Sequence, residues 1–372
     1  MYKVDSVYIH VPFCKSKCNY CAFYSVVSNR YDGYEKLIAK EVSLYRRDYD
    51  FSGVKTVYFG GGTPSLLKCH QIADMLSIFK NELLEEVTVE VNPGTVDYKK
   101  LQCLKEIGVN RLSIGFQSMD DETLLFLGRL HNTKDNLKAY ELARNVGFPN
   151  ISVDIIIGIP GYFSGTEKTI RTVIDLNPEH ISSYILSIEE GTKFYRMKKE
   201  QRLMYVSEET VRGEYLMMCR YFKESKYEHY EISNFSKSGK MSLHNLNYWK
   251  GGIYLGFGPS ASGYNGDMRY MNVKNLKIYE NKISKGERPL EYEERLTDEN
   301  KIDEFVFLHL RLHEGLDMDE LKSKFGVDFI EKRGDKLEMF EERKLLKRRG
   351  SIIKLTEEGS LVSDFIFGEL ML

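Results

Sequence analysis

Between Ser6 and about Ser187 the chain repeats one unit, a short apolar run of strand character followed by a longer run of helical period. The strand runs are Val7–Val11, Val54–Phe59, Val87–Val91, Arg111–Phe116, Ile151–Ile157 and His180–Leu186. Helical patterns lie between them at Tyr34–Tyr45, Leu66–Lys80, Tyr98–Ile107, Asn136–Val146 and Glu167–Leu176. In the first run Val7, Ile9 and Val11 alternate with Tyr8, His10 and Pro12, the two-residue period of a pleated strand. Strand–helix alternation predicts a parallel sheet joined by right-handed crossovers. Six such units are too few for a closed eight-stranded barrel. They leave an open partial barrel or a doubly wound sheet, and periodicity does not separate the two. In both, ligands bind at the carboxyl ends of the strands.

Half of the six cysteines, Cys14, Cys18 and Cys21, fall within eight residues just past the first strand. On a helix the spacing C-x-x-x-C-x-x-C would set them on one face, as small apolar side chains of a core. The strand before them, and Pro12 close ahead, argue for a loop instead. Three thiols cannot pair evenly into disulfides, and Met1–Ser6 lacks the apolar core of a secretory segment that would imply oxidising conditions. Structural zinc takes four ligands, and His10, the nearby candidate for the fourth, sits on the strand. Three thiolates on a [4Fe–4S] cluster are the better reading. Such clusters ordinarily take four cysteines, so one iron stays open to another molecule. Cys69, Cys103 and Cys219 are scattered and read as ordinary packing residues.

Polar residues fall where the strand-end rule puts a site. After the second strand comes Gly60-Gly-Gly-Thr-Pro64, where glycines let the backbone approach a ligand closely. Thr63 is the expected N-cap of the next helix, with Pro64 at its first position. By itself this is equally a tight strand-to-helix turn. Glu90 ends the third strand, Gln117 the fourth, and Arg129 follows a short helix at Asp121–Leu127. Glu90 and Asp154, taken singly, read as solvated strand-end charges or caps. Asp154, inside Val153-Asp-Ile-Ile-Ile157, needs a partner, because unpaired burial of a charge is costly.

The cysteine spacing resembles the radical S-adenosylmethionine (radical SAM) superfamily. That resemblance implies that the open iron is chelated by the methionine moiety of S-adenosylmethionine, whose sulfonium is cleaved by an electron from the cluster. It places Gly61, Gly62 and Thr63 against the methionine amino group. A zwitterionic nucleoside also suits the remaining charges: an ammonium wants a carboxylate, a carboxylate wants an arginine fork, and ribose wants acceptors. On this reading Glu90 takes the amino group, Arg129 the carboxylate, and Gln117 and Asp154 the ribose hydroxyls. Tyr8-Ile-His-Val-Pro-Phe-Cys14, Gly60–Pro64, Val89-Glu-Val-Asn-Pro93, Gly115-Phe-Gln-Ser118, Leu127-Gly-Arg-Leu-His131 and Asp154–Pro160 follow the order of the coproporphyrinogen-oxidase-like branch. In that branch Tyr8 would abut the cofactor and Tyr20 would sit beside the cluster. The resemblance implies an α/β fold, a partial (β/α)6 barrel over residues 1–235. A connecting segment at 236–294 and a small α+β, winged-helix-like C-terminal domain at 295–372 would follow.

Two features within the branch bear on function. The oxygen-independent coproporphyrinogen III oxidase, which decarboxylates propionates to vinyl groups, carries a further cysteine two residues after the third. Here that place is Phe23, in agreement with the HemW-type heme chaperones. His244-Asn-Leu-Asn-Tyr-Trp249 resembles their heme-binding motif and contains the sole tryptophan. A lone histidine is most often structural, yet histidine is the commonest axial heme ligand in globins and peroxidases, and Tyr248 and Trp249 offer flat apolar surface. His244 is therefore the expected heme contact. One departure is Ser262, where relatives commonly carry a histidine. Lys274–Glu294 is weakly patterned and reads as a connection. Amphipathic helices are expected at Asn300–His313, Leu316–Phe325 and Phe329–Arg343, a ribbon at Gly350–Thr356 and a last helix at Glu357–Leu370. The basic run Arg343, Lys344, Lys347, Arg348, Arg349 reads as a solvated helix end and turn, beside Glu341 and Glu342, and not as a nucleic-acid surface.

A chain of 372 residues, 42% hydrophobic, can bury one large domain and one or two small ones. Its formal net charge of −2 exerts no global pull toward nucleic acid or anionic membrane. No run approaches the roughly 20 apolar residues of a membrane span. The expectation is a cytoplasmic heme carrier with a [4Fe–4S] cluster and S-adenosylmethionine. Its partners would be heme, a heme-accepting (respiratory) protein and an electron donor such as flavodoxin or ferredoxin; a homodimer is compatible with it. The alternatives are an oxygen-independent coproporphyrinogen III oxidase, another radical tetrapyrrole-modifying enzyme, or a heme-degrading radical methyltransferase.

Overall fold

The computed structural model describes the whole chain, Met1–Leu372. Six strands, β1 (Ser6–Val11), β2 (Thr56–Gly61), β3 (Glu86–Val91), β4 (Arg111–Gln117), β5 (Ile151–Ile157) and β6 (His180–Ile185), lie parallel in that consecutive order. The order never reverses. A doubly wound sheet needs a reversal, so the architecture is the open partial barrel. Helices α1 (Tyr34–Tyr45), α2 (Cys69–Ser77), α3 (Tyr98–Glu106), α4 (Asp121–Leu127), α5 (Thr133–Val146) and α6 (Phe163–Leu176) fill the connections, and α7 (Glu208–Glu224) follows β6.

The two-residue period sorts each strand. Val7, Ile9, Val57, Val89, Ile114 and Val153 face the helices, inside a core of 49 buried residues. The opposite face turns into the barrel and is polar. In register there stand Ser6, Thr56 and Glu86, then Tyr8, Tyr58, Thr88 and Arg111, then Glu90 and Ser113. Ser152 and His180 continue one layer, Asp154 and Ser182 the next. The interior is thus a stack of hydrogen-bonding side chains that a purely apolar barrel core would lack.

The segment expected as a connection, 236–294, carries regular structure. Just before it, strands β7 (Glu228–Glu231) and β8 (Asn234–Ser236) pair antiparallel beside β6. Helix α8 (Leu243–Trp249) leads to β9 (Tyr254–Phe257), which runs parallel to β1 on the other side. From there β10 (Ser262–Tyr264), β11 (Met268–Asn272) and β12 (Leu290–Arg295) extend one continuous twelve-stranded sheet, and α9 (Leu276–Ser284) covers α1. Their short, polar-rich sequences hide them, because the ladder rather than an apolar run defines them. Beyond β12, α10 (Asp298–Arg311), helices Met318–Phe325 and Phe329–Glu342, a hairpin of Leu346–Arg349 with Ile352–Leu355, and two last helices build a second core of 15 buried residues. A break at Val362 divides the expected final helix into Glu357–Leu361 and Ser363–Leu370.

A second correction concerns the scattered cysteines. Cys69 and Cys103 are not separate packing residues; they are joined in a disulfide that ties α2 to α3. Cys219 is buried in α7, as expected of a packing thiol. No helix is long and apolar enough to cross a membrane.

Candidate functional site

A cavity of about 690 Å³ opens at the carboxyl ends of the parallel strands. That volume lies within the range of small-molecule and cofactor sites, ~300–1,000 Å³. Cys14, Cys18 and Cys21, all free thiols, line it from the loop after β1. The loop is held close to the β2 turn. Gly62 N–H donates to the Val11 carbonyl at 2.8 Å, and a Cβ on Gly62 would come within 2.7 Å of the Phe13 carbonyl oxygen. A glycine at 62 is therefore required by the cysteine loop itself, whatever else binds there.

Thr63 stands at the N-cap position of a short 3-10 helix, Pro64–Leu66, with Pro64 first as expected, but its side chain makes no capping bond. Its hydroxyl accepts from Asn92 Nδ2 at 2.8 Å and reaches the Cys14 sulfur at 3.6 Å. Arg129 Nη1 approaches the Cys18 sulfur at 3.5 Å, while Nη2 donates to the Gly115 carbonyl at 3.1 Å and to Asn92 Oδ1. Its Nε is buried without a partner. Burial pushes the Cys21 thiol up from its ordinary value. Both oxygens of Glu90 accept bonds, from Tyr58 Oη at 3.0 Å and from Gly61 N–H at 3.1 Å. Burial, with the Asp154 carboxylate nearby, pushes the Glu90 carboxyl up to about 7. Asp154 receives the Ser113 hydroxyl at 2.9 Å, and burial raises it too. Gln117 sits at a register shift between β4 and β5 with φ of 64°, a twist that sets its side chain on the cavity wall.

The structure thus brings Cys14, Cys18, Cys21, Tyr20, Gly62, Thr63, Glu90, Gln117, Arg129 and Asp154 to one cavity. Gly61 spends its N–H on Glu90 and backs onto the His10 ring. Tyr8, which the resemblance sets against the cofactor, lies a layer behind. Its ring stacks on Tyr58, and its hydroxyl meets His10 Nδ1 at 3.1 Å. His10 cannot complete a zinc site, because its Nε2 is also taken, by the Tyr24 carbonyl at 2.9 Å. Asn92, Ser113 and Tyr58 escaped sequence reasoning. Their signal was the inward parity of their strands, legible once neighbouring site residues were aligned with them.

His244, the expected heme contact, lies away from this cavity. It sits in α8 across the amino ends of the strands, the end opposite the cysteine loop. Glu86, at the start of β3, accepts the N–H groups of Leu243 and His244 at the helix N-terminus. The His244 ring bonds Thr56 Oγ1 through Nδ1 and Tyr248 Oη through Nε2, each at 2.7 Å. It stacks on Tyr58 and is 1% exposed. Both nitrogens are occupied, and burial with nearby Arg111 lowers the ring to about 3. In this arrangement one nitrogen donates and the other accepts, so an iron atom would have to displace a hydroxyl from the accepting nitrogen.

The donor set fits the implied cofactors. Three thiols share the cavity lining, and no fourth cysteine joins them there. Beneath them Glu90 and Asp154 have no cationic side chain bonded to them, and Arg129 has no carboxylate. A ligand carrying both an ammonium and a carboxylate would complete each. A family model described as the Radical SAM superfamily matches residues 8–173, and one described as the HemN C-terminal domain matches 296–362. Fold and site therefore define a protein of the radical SAM class. The Heme chaperone HemW of Bacillus subtilis (strain 168) is 35% identical over 376 residues, covering 99% of both chains. That of Lactococcus lactis subsp. lactis (strain IL1403) is 31% identical, covering 100% of this chain and 98% of its own. The chain belongs to the HemW family of the radical SAM superfamily. Its fold is that of the Escherichia coli coproporphyrinogen III oxidase HemN, with a TM-score of 0.83 at 23% identity, over 99% of this chain and 90% of that one.

Proposed function

We propose that this chain is a heme chaperone that holds a [4Fe–4S] cluster and S-adenosylmethionine in its barrel mouth and delivers heme to an acceptor protein. The observation that carries the reading is end-to-end similarity to proteins named Heme chaperone HemW. Phe23 supports it, standing where the oxidase carries its extra cysteine. Cys14, Cys18 and Cys21 hold three corners of the cluster. When bound, the cluster supplies a single electron and an open iron. Tyr20 packs beside it. Glu90 takes the methionine ammonium, Arg129 the carboxylate, and Gln117 and Asp154 the ribose hydroxyls. Gly62 and Thr63 shape the wall, and the Gly61 N–H holds Glu90 in place. A cytoplasmic setting, a flavodoxin- or ferredoxin-like electron donor and a homodimer belong to the same proposal. So do domain limits near 235 and 295, supported by the separate C-terminal core.

The test starts from anaerobically reconstituted protein with iron and sulfide near fourfold per chain. Titrated with heme, it should take up heme stoichiometrically. Incubated with coproporphyrinogen III, dithionite and S-adenosylmethionine, it should give no vinyl-bearing product. Catalytic appearance of that product would replace the chaperone reading by the oxidase.

A further inference from the structure

Behind the cavity floor a line of buried hydrogen bonds runs on toward the amino end of the barrel, and Asp154 is its last member. Asp154 Oδ1 accepts the Ser152 hydroxyl at 3.2 Å, and the Ser113 hydroxyl lies 2.9 Å from both carboxylate oxygens. Ser152 Oγ is 2.8 Å from His180 Nδ1, and His180 Nε2 is 2.8 Å from Tyr230 Oη. Tyr230 Oη in turn accepts the N–H of Ser242, the residue that caps α8, at 3.4 Å. Strand register builds this line. Ser152 and His180 are partners across β5 and β6, one inward layer before Asp154 and Ser182. Ser152 and His180 are fully buried and Tyr230 nearly so. None of the three lines the cavity, whereas Asp154 does.

The order of protons follows from the groups themselves. An ionised carboxylate only accepts, so the one Ser152 proton goes to Asp154. The Ser152 oxygen must then accept, which puts a proton on His180 Nδ1. Ser182, 3.3 Å from Ser152, can only donate to it for the same reason. Burial, with Arg111 nearby, holds the His180 ring well below its ordinary value, so it is neutral and Nε2 is bare. The Tyr230 hydroxyl donates to that nitrogen. Every donor in the line thus points at Asp154. Oδ1 is held by two serines, while Oδ2 meets only the shared Ser113 proton and keeps capacity for a ligand donor. Resting on the assignment of Asp154 to the ribose, we infer that Ser152 and His180 are positioning residues for S-adenosylmethionine, and that Tyr230 fixes the His180 tautomer through which they act. They set Asp154 as an oriented acceptor before the ligand arrives, and the ribose hydroxyls meet a carboxylate already in place.

The test is calorimetry of the full-length, cluster-loaded protein with S-adenosylmethionine and with its 2′,3′-dideoxyribose analogue. Ser152→Ala and His180→Leu should each weaken S-adenosylmethionine binding about fivefold, the worth of one hydrogen bond. Both should bind the analogue as the wild type does. A merely structural role would weaken the two ligands alike. His180→Asn, which keeps an N–H donor near the Nδ1 position, should restore most of the affinity. Histidine nitrogen NMR gives a second reading on the wild type. The His180 signal, assigned by its loss in His180→Asn, should show a neutral ring with its proton on Nδ1. Equal losses for the two ligands, full affinity in both Ser152→Ala and His180→Leu, or a His180 proton on Nε2 would overturn the inference. Asp154→Asn separates this from the ribose assignment, since it should itself lose the preference for the hydroxylated ligand. Wild-type binding of both ligands by Asp154→Asn would remove that assignment, and the positioning role with it.

Discussion

Glu90 is an acid on a cavity floor, bonded by a tyrosine and a backbone N–H and by no cation. Its carboxyl titrates near 7 in the folded chain against an ordinary 4.5. Between these values the native state keeps a proton that the unfolded chain has lost. The stability of the cluster-free protein should therefore fall as pH rises through that window, and the loss should be complete above it. Glu90→Gln should flatten the dependence in urea titrations at about pH 5 and pH 8. Ligand binding has the opposite sign. An ammonium needs the ionised carboxylate, so affinity for S-adenosylmethionine should rise with pH toward 7, by at most about tenfold per unit. Calorimetry at several pH values would show this, and a flat profile would remove Glu90 from the ammonium site. Arg129 has a different part. Its fork bonds Asn92 and the Gly115 carbonyl while reaching the Cys18 sulfur. Arg129→Lys keeps the charge but not the fork, and should cost about 2 kcal/mol in S-adenosylmethionine binding. Wild-type affinity in that variant would refute the carboxylate assignment.

At the scale of elements, the six parallel strands were legible because their outward faces repeat Val, Ile and Leu with period two. The cysteine loop was legible because Pro12 and the strand before it exclude a helix. The inward faces were not, since Tyr8, Thr56, Glu86 and Arg111 acquire their neighbours only from the register between strands. The surroundings of His244 were hidden for the same reason: its motif states composition, while the end of the barrel that α8 covers is decided by Glu86 and Thr56, far away in sequence. The Cys69–Cys103 bond was invisible because periodicity says nothing about how α2 and α3 face each other. It closes a loop of 34 residues, for which the chain-entropy account gives about 3–4 kcal/mol at most. Cys69→Ala/Cys103→Ala should thus melt below the oxidised wild type and match it once dithiothreitol is added. Equal melting without reductant would show that the two thiols stay apart in solution. Gly62→Ala tests the loop-to-turn contact: its Cβ, 2.7 Å from the Phe13 carbonyl oxygen, must push the cysteine loop away. Iron and sulfide per chain should fall while the far-ultraviolet circular dichroism stays unchanged.

The whole molecule has two main apolar cores, 49 residues in and around the barrel and 15 in the C-terminal unit. Leu361 packs against the larger core and Ile232 against the smaller, and polar contacts also join the two. The Glu231–Leu312 bridge and the bond from His313 N–H to the Tyr230 carbonyl stitch backbone to backbone. Arg311 lies over the Trp249 ring at 4.3 Å and meets Glu231 at 3.6 Å. Trp249, expected as a porphyrin surface, is thus engaged in holding the C-terminal unit against the amino end of the barrel. Glu231 is completely buried, and Arg311 is its cationic partner. Removing one partner of such a pair strands the other charge, at a cost of about 3 kcal/mol where the pair is loose. Arg311→Met should therefore uncouple the two cores, and a calorimetric scan should resolve an early transition of the C-terminal unit ahead of the barrel. Glu231→Leu/Arg311→Met removes both charges and should recover much of the loss, because a buried pair is often replaceable by apolar groups of similar size. A single unshifted transition in Arg311→Met would show that apolar packing, and not this ion pair, binds the two units together.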